Sequence, residues 1–194
     1  MTRELSRQDK QQLLQIARDT IAREIRGERQ LRLDPKTYSS RLQEKGACFV
    51  TLTIREELRG CVGSIEPSQP LVLDVQGRSL AAAFEDPRFP PLSEEELAKI
   101  EIEISILTPP RKLQFRDPEQ LLELLRPGVD GVILSYQFRR ATFLPQVWDK
   151  LPEPEDFLGR LCQKMGMPAD AWRHYPLGVE IYQVEQFTEG EFQS

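Results

Sequence analysis

Between residues 100 and 106, Ile100, Ile102, Ile104 and Ile106 alternate with Glu101, Glu103 and Ser105. Successive side chains of a strand point to opposite faces, so this pattern requires a β-strand with one apolar and one polar face. A helical reading would spread the four isoleucines around the axis. The chain must therefore contain a sheet that needs covering on one side, and the covering candidates lie upstream. Leu14, Ala17, Ile21 and Ile25 recur at helical spacing, Ser6 and Asp9 mark the start, and Gly27 offers a stop. Residues 71–84 follow Pro70 and place Leu71, Val75, Ala82 and Ala83 on one helical face.

The remaining elements come in irregular order. Residues 47–54 alternate as a strand, Arg55-Glu-Glu57 is polar, and 58–65 is again strand-like, which predicts a hairpin. Asp86-Pro-Arg-Phe-Pro-Pro91 breaks the preceding helix, and Ser93-Glu-Glu-Glu96 starts a short one with acids at its positive end. Asp117-Pro118 opens a helix ending near Pro127-Gly128. Residues 132–136 and 141–144 form a strand pair around 137–140. Residues 155–164 are helical, with Gly166 and Pro168 beyond them, and Val179, Ile181 and Val184 support one closing strand. Strands and helices do not repeat as strand–helix units, so the fold class is α+β. No internal repeat or long linker appears, and the polar stretch 188–194 is expected to fray.

Composition excludes several classes. Apolar residues at 39% can build a core, and 26 basic against 31 acidic residues give a net charge of −5, which repels phosphate polymers in bulk. No apolar run approaches the roughly 20 residues of a membrane span, and the charged first ten residues lack a signal-peptide centre. Cys48, Cys61 and Cys162 are odd in number and form no Cys-x-x-Cys pair, which argues for a reducing compartment, the cytoplasm. With one histidine, His174, no histidine-built metal cluster is available, and no cofactor motif is present.

The segment Leu58-Arg-Gly-Cys-Val-Gly63 concentrates candidate chemistry. Gly60 and Gly63 flank Cys61 and would let a ligand approach the backbone closely, and Arg59 would favour the thiolate. If Asp86-Pro-Arg88 folds toward it, Arg88 adds charge or clamps an anion, with Asp86 orienting it. The competing reading is a small cysteine packed in a tight strand. Thr142 and Gln146 flank Pro145 and either line a cleft or cap a turn. Cys48, Cys162, Phe143 and Trp148 read as core. Gly60-Cys-Val-Gly63 matches only the bare pattern of a KH loop and lacks the lysine of a P-loop. Arg23, Arg26, Arg29 and Arg32 read as a solvated helix end.

Leu58-Arg-Gly-Cys-Val-Gly63 resembles the Leu-Arg-Gly-Cys-Ile-Gly signature of the AMMECR-one domain family, with Val62 in place of isoleucine. Residues 81–92, 104–109, 128–132, 141–148 and 157–172 resemble further family blocks in the same order, so the likeness covers residues 10–188. It implies one α+β domain over 1–188, a mixed sheet packed with helices in a larger and a smaller lobe, with the Cys61 segment in a cleft between them, and a tail at 189–194. The family carries no assigned activity. Its bacterial and archaeal members accompany a Memo-like protein and a radical S-adenosylmethionine enzyme, which the resemblance makes the expected partners. Two functions stay open: a thiol-dependent small-molecule or group-transfer site on Cys61, or a non-enzymatic binding module.

Overall fold

A computed structural model describes residues 4–192. The chain divides into two compact units, residues 1–107 with 185–194, and residues 108–184. No described helix is long and apolar enough to cross a membrane.

The first unit begins with helix α1, Arg7–Ile25. Ser6 and Asp9 complete a reciprocal capping box, and the Glu28 and Gly27 N–H groups return to the carbonyls of Arg23 and Glu24 at the other end. Gly27 takes φ 65° there, which glycine adopts without steric cost. A short helix α2, Ser40–Gln43, and strand β1, Lys45–Gly46, lead into β2, Cys48–Ile54, and β3, Glu57–Gly63. The hairpin loop is two residues, Arg55 and Glu56, so the second strand starts at Glu57, earlier than its polarity suggests. Strand β4, Gln69–Pro70, pairs with β1 and feeds helix α3, Leu71–Phe84. Helix α4, Glu94–Leu97, precedes β5, Ile100–Leu107, the alternating strand.

The second unit comprises β6, Arg111–Lys112; α5, Pro118–Leu124; β7, Gly131–Tyr136; β8, Arg139–Phe143; α6, Pro154–Lys164; α7, Ala171–His174; and β9, Gly178–Tyr182. Its sheet runs in the order β6-β9-β7-β8. Trp148 stacks on Phe157 at 3.7 Å between ring centroids within its core, beside Leu158, Leu161 and Cys162.

The closing strand is two strands. β9 ends at Tyr182, and β10, Val184–Thr188, joins the first unit's sheet, whose order is β10-β5-β2-β3. Residues 189–192 do not fray: they form a 3₁₀ turn in which the Glu189 carboxylate binds Arg18 of α1 and the Ile102 N–H. Polarity alone suggested a loose tail because this ion pair joins residues 171 positions apart. Residues 193–194 lie outside the described residues. Cys48, Val50, Leu52, Ile102, Ile104 and Ile106 turn inward with Leu13, Ile21, Leu71 and Val75 of the helices, as one continuous core. The other face carries Thr51, Cys61 and Glu103, which occupy one cross-strand row.

Candidate functional site

Cys61 lies on β3, an edge strand. The Ser64 N–H donates to the Cys48 carbonyl at 2.9 Å, which fixes the phase of the ladder. Val62 and Ser64 therefore face β2 with their backbone groups, and those of Cys61 point to the open edge. Asp86 accepts the Cys61 N–H at 2.9 Å, and Arg88 Nη2 donates to the Cys61 carbonyl at 3.2 Å. The two side chains thus take the place of a neighbouring strand and close the edge at this one residue. Asp86 in turn grips Arg88 through Nε at 2.9 Å, Nη2 at 2.6 Å and the Arg88 backbone N–H at 3.1 Å. The Arg88 guanidinium, and secondarily the Cys61 N–H, hold the Asp86 carboxyl well below the usual carboxylate range. Asp86 is buried, while the Arg88 side chain is 53% exposed, so half of a locked cation faces outward.

The thiol does not behave as arginine proximity suggested. Burial pushes the Cys61 thiol up, and it outweighs the Thr51 hydroxyl, which donates to Sγ at 3.3 Å, and the Arg88 charge. Asp86 and Glu103 push the same way as burial. The resting side chain is a neutral thiol. Arg59 is not its activator. The register of β2 and β3 shifts between Leu52 and Thr53, leaving Arg59 as the extra residue of a bulge. Its guanidinium binds Glu96 at 2.7 and 3.0 Å and the Pro90 carbonyl at 3.0 Å. Arg59 brings the Glu96 carboxyl down to about 2, and it locks the 86–96 segment onto the strand. Both cations approach the Phe89 ring, the Arg59 guanidinium at 5.7 Å and that of Arg88 at 5.6 Å from its centre.

Gly60 and Gly63 are not openings for a ligand. A Cβ on Gly60 would stand 2.1 Å from the Ala82 carbonyl oxygen of α3, and one on Gly63 would stand 2.2 Å from the Phe49 ring. Both glycines admit the protein's own atoms. Thr142 and Gln146 belong to the second unit. The Thr142 hydroxyl donates to the Val132 carbonyl at 2.9 Å and lies 2.8 Å from the Tyr182 hydroxyl, a core tie between strands. Gln146 is half-buried on the 3₁₀ turn Pro145–Asp149. Cys48 and Cys162 are fully buried in their cores. His174, also in the second unit, is exposed and lies 3.6 Å from Asp170. Among the described residues no group of three or more His, Cys, Asp or Glu is placed to hold a metal.

The structure thus unites Cys61, Asp86 and Arg88 and removes Arg59, Gly60 and Gly63 to supporting roles. It adds Thr51, Phe89, Glu96 and Glu103. Alternation places Thr51 and Glu103 on polar strand faces, but their alignment with Cys61 depends on register.

A sequence model of the AMMECR1 family matches residues 14–187. A protein of Methanothermobacter thermautotrophicus is 38% identical over 190 residues, covering 95% of this chain and 96% of its own length. Protein MJ0810 of Methanocaldococcus jannaschii is 41% identical over 157 residues, 77% of this chain and 75% of the relative. The crystal structure of the uncharacterized protein PH0010 from Pyrococcus horikoshii superposes with a TM-score of 0.84 at 33% identity, covering 91% of this chain and 89% of that one.

Proposed function

The chain belongs to the AMMECR1 family, and from that premise we propose that the Cys61–Asp86–Arg88 corner is a recognition site for a partner, not a pre-activated nucleophile. One observation carries this reading: Arg88 is pinned by Asp86 and by the Cys61 carbonyl, yet 53% of its side chain is exposed. A guanidinium fixed in advance loses little entropy when it binds a carboxylate or similar anion. The Memo-like protein and radical S-adenosylmethionine enzyme implied by the resemblance are the first partners to test.

In binding assays against those two proteins, Arg88→Gln is expected to weaken association about tenfold or more, the scale of one lost charge-assisted contact. Cys61→Ala should leave it within about twofold, a few tenths of a kcal/mol. Melting temperatures of both variants control for folding. Wild-type affinity in Arg88→Gln, or loss of binding in Cys61→Ala alone, contradicts the reading.

A second reading, thiol-dependent group transfer, draws on the Thr51 hydroxyl at Sγ and on Glu103 in the same cross-strand row. It requires the thiol to lose its proton only once a partner or substrate is docked, because burial keeps it neutral before that.

A further inference from the structure

A groove at the other end of the same strand is separate from the Cys61 corner. Its walls are Ile54, Arg55, Glu57, Leu58, Lys99 and the Arg59–Glu96 pair, and it encloses about 520 Å³. That volume lies within the few hundred to 1,000 or so Å³ of small-molecule sites.

The local chain geometry is costly. Arg55 and Glu56 form the hairpin loop at φ 53° and 68°. For residues with a Cβ, this left-handed region costs about 1–2 kcal/mol each, and Asn-Gly would make the same turn at a lower cost. The turn places Arg55 on the groove. Ile54 pairs with Ile100 at the end of the β2–β5 ladder, and Arg55 and Lys99, the adjoining residues, both line the groove. Two like charges lining one groove repel. Glu96 does not relieve them: its carboxylate is held by Arg59 at 2.7 Å and by the Ser93 N–H at 2.9 Å. Glu57 also borders the groove, but Arg55 and Lys99 have no ion pair or side-chain hydrogen bond among the described residues. Ile54 is half-buried and Leu58 is 42% exposed, so the cations adjoin an apolar surface.

We propose that this groove binds an amphipathic anion, a carboxylate or phosphate monoester on a short hydrocarbon chain. The head group sits between Arg55 and Lys99, and the chain lies on Ile54 and Leu58. An anion there turns a repulsive pair into two attractive contacts, and Arg55 supplies the planar fork that such head groups match. The site is locally cationic on a chain of net charge −5, so its attraction is short-ranged and screened by salt.

Calorimetric titration of the full chain with hexanoate, hexyl phosphate, hexanol and inorganic phosphate tests it. One of the two amphiphiles is expected to bind at least about tenfold more tightly than hexanol or inorganic phosphate, each of which offers half of the contact. Which amphiphile binds better identifies the head group. The double substitution Arg55→Gln, Lys99→Gln, at two exposed side chains, should weaken that binding about tenfold or more at an unchanged melting temperature. No binding of either amphiphile below ~10 mM, equal binding of hexanol or phosphate, or equal binding by the double variant overturns the proposal. Arg88→Gln should leave this titration unchanged, so its outcome is independent of the Cys61 corner.

Discussion

Replacing Gly60 with alanine is expected to destabilise the first unit by about 3 kcal/mol or more, at the severe end of overpacking. The added Cβ would stand 2.1 Å from a backbone oxygen, Ala82 O, and backbone cannot rotate aside as a side chain can. Either β3 separates from α3 or the end of α3 unwinds, and each exposes core at Val50, Leu52 and Ala82. Gly77→Ala in the same helix is the control. Nothing lies within 4 Å of its Cβ, and the helix gains about 0.5–1 kcal/mol from the better helix former. Chemical denaturation of both variants reads the contrast. A Gly60→Ala protein within about 1 kcal/mol of wild type would mean that β3 and α3 are not packed this closely.

Asp74→Ala is expected to cost about 2–3 kcal/mol, the scale of leaving buried hydrogen-bond donors without their acceptor. Asp74 is fully buried in the first turn of α3. It accepts from the Cys48 N–H at 3.0 Å, the Ser64 hydroxyl at 2.6 Å, Gln69 Nε2 at 3.2 Å and Arg78 Nε at 3.4 Å. Truncation strands a buried backbone donor and releases the 64–69 segment that follows the Cys61 strand. Asp74→Asn keeps oxygen acceptance but loses the charge, so a smaller loss is expected. Thermal and urea unfolding measure it. A neutral Asp74→Ala would show that water replaces these bonds and that Asp74 is not the staple of this corner.

Much of the architecture was readable in local patterns. The alternation at 100–106, the Ser6–Asp9 cap and the proline breaks identify their elements because each depends on neighbours within a few residues. The two hairpin pairings were readable as well, but the pairings between strands distant in sequence, and the register of each, were not. Period-two alternation tells which face Thr51 and Glu103 occupy, but not that they align with Cys61, since register is set by long-range packing. Arg59 looked like an activator from its sequence neighbour. A one-residue bulge redirects it to Glu96, 37 positions away. The glycines looked like openings because sequence shows the missing Cβ and not what fills the space. The sequence proximity of Asp86 and Arg88 suggests the contact between them, but their bonds to the Cys61 backbone follow from an edge strand that no local pattern reveals. The closing strand divides because the partners of β9 and β10 lie in different sheets, which the one continuous apolar pattern of residues 179–184 does not reveal.

The most direct test of the central claim is residue-resolved alkylation of Cys61 against pH, with Cys48 and Cys162 as internal references. A raised thiol is protonated, and therefore slow, at every pH below its own midpoint. The account predicts that Cys61 stays slow through neutral pH, with a midpoint above the ordinary thiol value of about 8.5, and that Arg88→Gln moves it higher still by removing a favourable charge. Fast alkylation near pH 6, with a midpoint below that value, would mean a stabilised thiolate at rest and would contradict a recognition corner built around a neutral thiol.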